Sequence, residues 1–325
     1  YRNKAQVPVA LAPDGSLRIG YYREGTHDVV ALPEDGCRIL MPAVDGALRF
    51  VRSRLAELGL RPYDQRKAEG TLRHVMIRAN SRGQAMLVLV TREALPPEAA
   101  AKAAAWLGQA GIVSVQHNLQ AHTGNVVMGE RTELLAGLPE LEEELDGLKF
   151  RLSATSFFQV NPSQAQTLVD VLKGIRPWAA GEKVLELYCG IGTLSLPLGR
   201  LGLRLHGVES HPAAVEDARA NAQAHGLDQL SFEVQDAGRA LQSMPFQPQV
   251  LLIDPPRKGL DPAALSALKG VMIPEIVYVS CAPASLARAV KALEALGYSL
   301  KRCQGVDLFP QTAHVESLNL LQRDA

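Results

Sequence analysis

The chain has 325 residues, of which 47% are hydrophobic and 5% aromatic, and its 34 Lys/Arg balance its 34 Asp/Glu. This length predicts two domains, and the neutral global charge argues neither for nor against a polyanionic partner. Four widely spaced cysteines without a C-x-x-C pair argue against a disulfide framework or a zinc site. No apolar run reaches membrane-spanning length and the start lacks a signal-peptide layout, so a reduced, cytoplasmic protein without membrane contact is expected.

The first part of the chain, residues 1–152, is predicted to be the smaller, α+β domain. Its strand-like segments are KAQVPVAL, SLRIGYY, HDVVAL, HVMIRA and AMLVLV, and its helical segments are MPAVDGALRFVRSRLAELGL and PPEAAAKAAAWLGQAG. Residues 1–92 carry 15 Lys/Arg against 9 Asp/Glu, an excess that suits phosphate contacts or a merely solvated surface. An acidic hairpin with Asp146-Gly147 at its turn leads out of this domain.

Residues 153–325 alternate regularly between apolar strands and amphipathic helices. Strands are predicted at KVLELY, LRLHGVE, LSFEVQ, QVLLID, IVYVS, YSLKRC and ESLNLL. Helices are predicted at SQAQTLVDVLKGI, TLSLPLGRLG, HPAAVEDARANAQAHG, DPAALSALKG and ASLARAVKALEALG. This alternation indicates an α/β fold with a doubly wound, mostly parallel sheet. In such sheets ligands bind at the carboxyl ends of the strands.

A glycine turn follows the first of these strands, in VLELYCGIGTLSL. Gly190 and Gly192 let the backbone approach a ligand closely, but Ser195 stands where a dinucleotide fingerprint has its third glycine. A G-x-G alone is a weak signal. The next strand ends at Glu209, whose carboxylate suits two ribose hydroxyls; an ordinary acid at a helix start is the simpler alternative.

Two more acids favour S-adenosylmethionine over NAD at this turn. Glu186 precedes the turn, where a carboxylate suits a sulfonium-bearing ligand. Asp236 ends the third strand, where it would lie near an adenine amino group, unless it is a simple turn aspartate. Because a ligand without a diphosphate does not need the third glycine, the pattern predicts a methyl donor.

The fourth, fifth and last strands carry residues suited to chemistry. Asp254 emerges at the tip of LLID, before two prolines that fix the exit backbone, and Cys281 follows IVYVS. A free cysteine is most often a small core residue, but a thiol and a carboxylate at adjacent strand ends favour a nucleophile. Glu316 begins the last strand, and burial there would raise its pKa to suit a general base.

The ordered motifs SFFQVNPSQA, LELYCGIGTLSLPL, IDPPRKGL, VSCAPASLAR and DLFPQTAHVESL together resemble the RNA 5-methyluridine (uracil-carbon-5) methyltransferase family, and YRNKAQVPV with GYYREGTHDVV extends the likeness over the first domain. The resemblance implies a Rossmann-like S-adenosylmethionine-dependent methyltransferase domain at 153–325, with a seven-stranded sheet whose last strand is antiparallel, and an RNA-contacting domain at 1–152. It implies Cys281 as nucleophile and Glu316 as proton acceptor. The residues it implies around the methyl donor and the reacting base are Gln159, Tyr188, Glu209, Asp236 and Asp254.

Some positions depart from the family's pattern. Ala282 stands where relatives usually have Asn, and Thr193 stands where Asn is frequent. Many members hold an iron–sulfur cluster on four cysteines, and Cys37, in EDGCRILMP, resembles the last of them. One thiol cannot hold a cluster, so no metal is expected on this chain unless an upstream segment supplies the other three ligands.

The expected partner is RNA, with no membrane and no obligate protein partner. FPQTAHVES resembles the ribosomal-RNA branch more than the transfer-RNA branch, so 23S ribosomal RNA is favoured. The alternatives are a transfer-RNA uridine methyltransferase, a methyltransferase for another position, an NAD-linked oxidoreductase, and a non-enzymatic RNA-binding or assembly factor on the same fold. Ser195 disfavours the oxidoreductase, and the presence of both Cys281 and Glu316 disfavours the non-enzymatic factor.

Overall fold

The computed structural model describes residues 1–122, 124 and 126–324. The chain divides into two compact units, one of Tyr1–Glu143 with Arg151–Thr155 and the other of Glu144–Phe150 with Ser156–Ala325. In the described part of the chain, no helix is long and apolar enough to cross a membrane.

The first unit contains a seven-stranded sheet in the order β3-β2-β1-β4-β5-β6-β7. Its strands are β1 (Lys4–Leu11), β2 (Leu17–Tyr22), β3 (Val29–Ala31), β4 (Leu72–Ala79), β5 (Ala85–Thr91), β6 (Ile112–Leu119) and β7 (Arg131–Gly137). Neighbouring strands are antiparallel except β5 and β6. Helices α1 (Pro42–Arg54) and α2 (Pro97–Ala104) bury their apolar faces in one core with the sheet. This unit has the predicted α+β character.

Strands β6 and β7 are not predicted by the sequence pattern. In β6 the polar side chains Gln116 and Asn118 are buried, because their amides donate to the carbonyl oxygens of Pro139 and Gly129 at 2.8 and 2.9 Å. A search for apolar alternation does not find such a strand. The predicted second helix is also too long, since α2 ends at Ala104.

The predicted hairpin is present as β8 (Leu141–Leu145) and β9 (Leu148–Leu152). Its turn residues Asp146 and Gly147 have φ of 56° and 68°, the left-handed pair that a two-residue turn of the I′ type requires.

The second unit contains a seven-stranded sheet in the order β12-β11-β10-β13-β14-β16-β15. Its strands are β10 (Lys183–Leu187), β11 (Arg204–Glu209), β12 (Leu230–Val234), β13 (Val250–Ile253), β14 (Glu275–Ser280), β15 (Tyr298–Val306) and β16 (Glu316–Arg323). The first five are parallel, and β16 is antiparallel to both of its neighbours. The predicted doubly wound fold with an antiparallel last strand is confirmed.

Helices join these strands at the expected places. They are α3 (Pro162–Gly174), α4 (Ser195–Gly199), α5 (Pro212–Ala224), α6 (Ala237–Gln242), α7 (Pro262–Leu268) and α8 (Pro283–Glu294). The short α6 is not predicted from the sequence. All four residues of β13 are buried, as expected for a central strand covered on both faces. The strand order reverses between β10 and β13, and a reversal of this kind opens a crevice at the carboxyl ends of the strands.

Candidate active site

Cys281 and Glu316 lie at the same end of two neighbouring antiparallel strands. The register of β14 and β16 ends with Ser280 opposite Ser317; Cys281 directly follows Ser280, and Glu316 directly precedes Ser317 as the first residue of β16. The two side chains are close enough for the Glu316 carboxylate to raise the pKa of the Cys281 thiol. The Cys281 thiol is half-buried, and Glu316 is buried. Two motifs far apart in sequence therefore meet at one end of the sheet.

Asp254 belongs to the same group of charges. It directly follows β13, which neighbours β14 in the sheet. Burial raises the pKa of Asp254 to about 7. Burial also raises the pKa of Glu316 to about 8, with a further rise from Asp254 and an opposing effect of Arg257. For Cys281, burial and the Glu316 carboxylate raise the pKa of the thiol, while Arg257 lowers it.

Arg257 is the member of this cluster to which the sequence assigned no role. It lies three residues after Asp254 in the motif IDPPRKGL, and its side chain is exposed. Its guanidinium stabilises the anionic forms of both Cys281 and Glu316. A cation after the Asp-Pro-Pro exit was visible in the sequence. Its proximity to the thiol depends on the β13–β14 pairing.

The glycine turn and Glu209 lie together at the carboxyl ends of β10 and β11. Gly190 and Gly192 have φ of 54° and 86°, in the left-handed region that favours glycine. A side chain built on Gly190 would meet no atom within 4 Å, so this turn borders open space. Glu209, partly exposed at the tip of β11, accepts hydrogen bonds from the backbone N–H groups of Gly190 and His211 at 3.3 and 3.0 Å. These bonds fix the carboxylate beside the turn.

Tyr188 has a strained backbone between β10 and this turn. Its φ is 65°, which costs a residue with a side chain about 1–2 kcal/mol. Its hydroxyl donates to Oδ2 of Asp261 at 3.0 Å, and Oδ1 of Asp261 accepts from the N–H of Ala264, at the start of α7. Such strain is typical of functional sites. Asp261 is a second residue to which the sequence assigned no role.

The other two acids near the predicted cofactor site make local contacts. Asp236 caps α6 by accepting from the N–H of Arg239 at 2.9 Å, a role that the sequence did not predict, and its contact with adenine stays a prediction. Glu186 is buried and accepts a hydrogen bond from the Ser195 hydroxyl. Burial raises the pKa of Glu186 to about 8. Ser195 therefore holds the start of α4 against β10.

Gln159 lies in a segment tied to the second unit at both ends. The Ser156 hydroxyl donates to Oδ2 of Asp217 on α5 at 2.7 Å, and the Asn161 amide donates to the carbonyl of Leu308 at 3.1 Å. Leu308 precedes the loop that leads into Glu316. Gln159 itself is buried. This segment therefore contacts α5 at one end and, at the other, the residue that precedes the loop leading to the predicted base Glu316.

Cys37, which resembles the last cluster cysteine of the family, is half-buried, and its N–H donates to Asp45 at 2.8 Å. Within the described ranges, no group of three or more His, Cys, Asp or Glu side chains is arranged to hold a metal ion. These residues alone do not fit an iron–sulfur cluster.

Comparisons with known proteins agree with this architecture. A model of the tRNA (uracil-5-)-methyltransferase family matches residues 140–324. Uncharacterized RNA methyltransferases of Halalkalibacterium halodurans and Thermosynechococcus vestitus are 38% and 39% identical over 99% of this chain and 71% of each relative. The solved Pyrococcus abyssi tRNA (uracil-54, C5)-methyltransferase with S-adenosyl-L-homocysteine is 28% identical, with a TM-score of 0.79 over 98% of this chain and 75% of that one.

These matches confirm the family that the motifs resembled, and the strand order confirms the fold that the family implied. The chain belongs to the tRNA (uracil-5-)-methyltransferase family and is an RNA methyltransferase that uses S-adenosylmethionine.

Proposed function

We propose that this enzyme methylates carbon 5 of a uridine in RNA, with Cys281 as nucleophile and Glu316 as proton acceptor. The observation that supports the proposal is that Cys281 directly follows β14 and Glu316 begins the neighbouring antiparallel strand β16, with Asp254 at the end of β13 on the other side of β14. Gln159, Tyr188, Glu209, Asp236 and Asp254 are proposed to surround the methyl donor and the reacting base.

Carbon 5 of uridine is too weak a nucleophile to take a methyl group directly. The Cys281 thiol first loses its proton, and the thiolate adds to carbon 6, which makes carbon 5 electron-rich. A free thiol has a pKa of about 8.5, so the anion needs local stabilisation. Arg257 contributes to it, because its charge lowers the pKa of Cys281 against the larger raising effects of burial and Glu316.

S-adenosylmethionine, when bound, supplies the methyl group as a sulfonium. After carbon 5 has gained this methyl group, the Glu316 carboxylate removes the carbon-5 proton. The electron pair of that C–H bond restores the 5,6 double bond and expels the Cys281 thiolate. The net change converts the uridine to 5-methyluridine and releases one proton, first held by Glu316.

Large-subunit ribosomal RNA is the proposed substrate, on the likeness of FPQTAHVES to the ribosomal branch. A transfer-RNA substrate is the second candidate, because the solved relative from Pyrococcus abyssi is named as a tRNA (uracil-54, C5)-methyltransferase. In either RNA the target base must leave its stack to reach a thiol at the end of a sheet, which costs a few kcal/mol.

Incubation with RNA that contains 5-fluorouridine tests the proposal. Fluorine at carbon 5 leaves no proton for Glu316 to remove, so the methylated adduct cannot release Cys281. We expect a protein–RNA adduct that survives denaturation, requires S-adenosylmethionine and is missing from Cys281→Ala. Fragments of 23S ribosomal RNA and whole transfer RNA, tested separately, identify the substrate class.

The opposite outcome is equally clear. Methyl transfer to normal RNA at the wild-type rate by Cys281→Ala would contradict nucleophilic catalysis by this thiol. An absence of methyl transfer to every RNA, with RNA binding intact, would favour the non-enzymatic assembly factor.

A further inference from the structure

A cavity lies in the first unit, formed without any of the residues assigned to the methylation site. Its volume is about 890 Å³, and its lining comes from the ends of β1 and β2, the β2–β3 loop, residues 61–67 and the β4 residues Arg73 and His74. This volume is in the range of small-molecule sites, about 300–1,000 Å³. It can therefore hold a nucleotide.

The lining of the cavity has an excess of positive charge. The described cations that line it are Arg18, Arg23, Arg61, Arg66, Lys67 and Arg73, against the carboxylates of Asp28 and Asp64. Arg66 pairs with Asp28 at 3.1 Å and Arg61 pairs with Glu69 at 3.4 Å, so two of these positive charges are offset. Arg73 is buried and donates from Nη1 to the carbonyl oxygens of Gln120 and His122. A fixed cation under a basic rim attracts the phosphates of a nucleic acid.

Aromatic side chains lie among these cations. Tyr22 is 42% exposed, and its ring meets those of His27 and His74 edge to face, at centroid distances of 5.6 and 6.5 Å. The Arg73 guanidinium lies 5.1 Å from the centre of the Tyr63 ring. Aromatic rings beside cations are the combination with which proteins bind unpaired RNA, because every base has a face that can stack.

His74 at the wall of the cavity has an unused polar atom. The residue is 8% exposed, and no group in the described part of the chain hydrogen-bonds its Nδ1. Burial and the neighbouring Arg73 lower its pKa to about 4, so the ring is neutral at pH 7. A buried polar atom without a partner is rare in folded proteins and asks for an explanation such as a functional role.

We propose that this cavity binds an unpaired nucleotide of the substrate RNA other than the target uridine, with its base against Tyr22 and its phosphate among the cations. The inference rests on the proposed RNA substrate. It adds a second recognition point, which would let the enzyme select RNA by an unpaired position away from the methylated base. Duplex RNA does not fit, because its bases are stacked on each other and offer no free face.

Two matched pairs of variants of the full chain test the cavity. Tyr22→Ala is compared with Tyr21→Ala, because Tyr21 is 38% exposed, precedes Tyr22 on β2 and does not line the cavity. Arg66→Ala is compared with Arg54→Ala, because both arginines are exposed and ion-paired and only Arg66 lines the cavity. Each pair changes the same residue type and the same net charge.

The probe is a fluorescein-labelled, unstructured RNA octamer, with the same octamer in a duplex as reference. Stacking on one aromatic side chain accounts for roughly 5- to 150-fold in affinity. We expect Tyr22→Ala to weaken octamer binding by about tenfold, Tyr21→Ala to stay within about twofold, and neither to change duplex binding. Arg66→Ala should weaken octamer binding more than Arg54→Ala and flatten its salt dependence. With substrate RNA, Tyr22→Ala should raise KM and leave kcat unchanged.

Equal octamer affinities within both pairs would overturn the inference, and so would equal losses for octamer and duplex. Should Tyr22→Ala fail to fold, the arginine pair decides. A separate measurement of methyl transfer tests the proposed function. Octamer binding that differs within the pairs, without methylation of any RNA, contradicts the proposed function alone. Methylation with equal binding within the pairs contradicts this inference alone.

Discussion

Cys281 and Glu316 compete for ionisation, and this competition orders the proposed reaction. Burial raises the pKa of both groups, and the Glu316 carboxylate raises the pKa of the thiol further. Electrostatic coupling is reciprocal, so a thiolate equally opposes ionisation of Glu316. Once sulfur is bonded to carbon 6 it is a neutral thioether and this opposition ends. The covalent step thus removes one opposing charge from Glu316, while burial and Asp254 continue to raise its pKa.

Glu316→Gln should stop the reaction at the methylated adduct. Addition of Cys281 and methyl transfer precede proton removal, and an amide cannot accept that proton. We expect a covalent protein–RNA species on normal uridine-containing RNA and a fall in turnover of about 10²–10⁴-fold. Denaturing gel electrophoresis with labelled S-adenosylmethionine measures both. The double variant Cys281→Ala/Glu316→Gln is the control and should give no adduct, whereas an adduct in the double variant would contradict the assignment of Cys281.

Arg257→Ala should make the Cys281 thiol less acidic. The guanidinium lowers the pKa of Cys281, and because its side chain is exposed the shift is moderated by solvent. The pH profile of alkylation of Cys281 by iodoacetamide, followed by mass spectrometry across pH 7–10, should move to higher pH. Arg257→Lys should return the alkylation profile most of the way to that of the wild type. Lys258 is the neighbouring exposed cation, and Lys258→Ala should shift the profile less than Arg257→Ala. Identical profiles for Arg257→Ala and Lys258→Ala would contradict this role.

At the scale of elements, Asp261 connects the end of β10 to the start of α7. One carboxylate oxygen accepts from the Tyr188 hydroxyl and the other caps the helix. The cap compensates for the missing partners of the first helical N–H groups. The bond to Tyr188 supports its left-handed backbone next to the glycine turn. The geometry of the proposed cofactor site is therefore linked to the packing of a helix that carries none of its residues.

A double-mutant cycle on Tyr188→Phe and Asp261→Ala should show this link. We expect Asp261→Ala to cost about 1–2 kcal/mol for cap and bond together, and Tyr188→Phe about 0.5–1 kcal/mol. The double variant should cost less than their sum by about 0.5–1 kcal/mol, because only one bond joins the two residues. Urea unfolding measures the free energies, and Asp261→Asn keeps the cap as a control. Strict additivity would contradict the link.

Whether an element could be predicted from the sequence depended largely on whether its buried side chains are apolar or polar. Strands β13 and β14 could be predicted directly from the sequence, because their residues are nearly all apolar and buried. β6 was not predicted, because its buried Gln116 and Asn118 donate hydrogen bonds to residues that lie 23 and 11 positions away in the sequence. α6 was not predicted, because six residues are too few for a helical period to be recognised. Local sequence patterns therefore detect strands with buried apolar side chains and miss strands whose buried polar side chains are hydrogen-bonded.

At the scale of the whole molecule, the sequence predicted which strand ends form the candidate site but not the contacts between the side chains there. The rule that ligands bind at the carboxyl ends of strands brought Asp254 and Cys281 together before any coordinates. The proximity of Cys281 to Glu316 depends on the antiparallel pairing of β14 with β16, which the sequence pattern alone does not give. The buried contact of Glu186 with Ser195 also follows only from the packed structure.

Three carboxyl groups of the second unit should make its stability fall as pH rises. The pKa values of Glu186 and Glu316 are raised to about 8 and that of Asp254 to about 7, chiefly by burial. Their unfolded values are about 4, so between these limits the folded state binds more protons than the unfolded chain. The contribution to the free energy of unfolding is complete below about pH 4 and is lost as pH rises to about 8.

We expect the free energy of unfolding of this unit to fall by a few kcal/mol, as an order of magnitude, from pH 5.5 to pH 8. Urea titrations followed by Trp178 fluorescence in a Trp106→Phe background, in which Trp178 is the one remaining tryptophan, measure this unit. Glu316→Gln and Glu186→Gln should each reduce the slope, because a neutral amide does not titrate. The exposed Glu34→Gln should leave the slope as in the parent. A slope that is unchanged in both Glu316→Gln and Glu186→Gln would mean that these two carboxyls are already ionised in the folded protein across this pH range, which would contradict their raised pKa values.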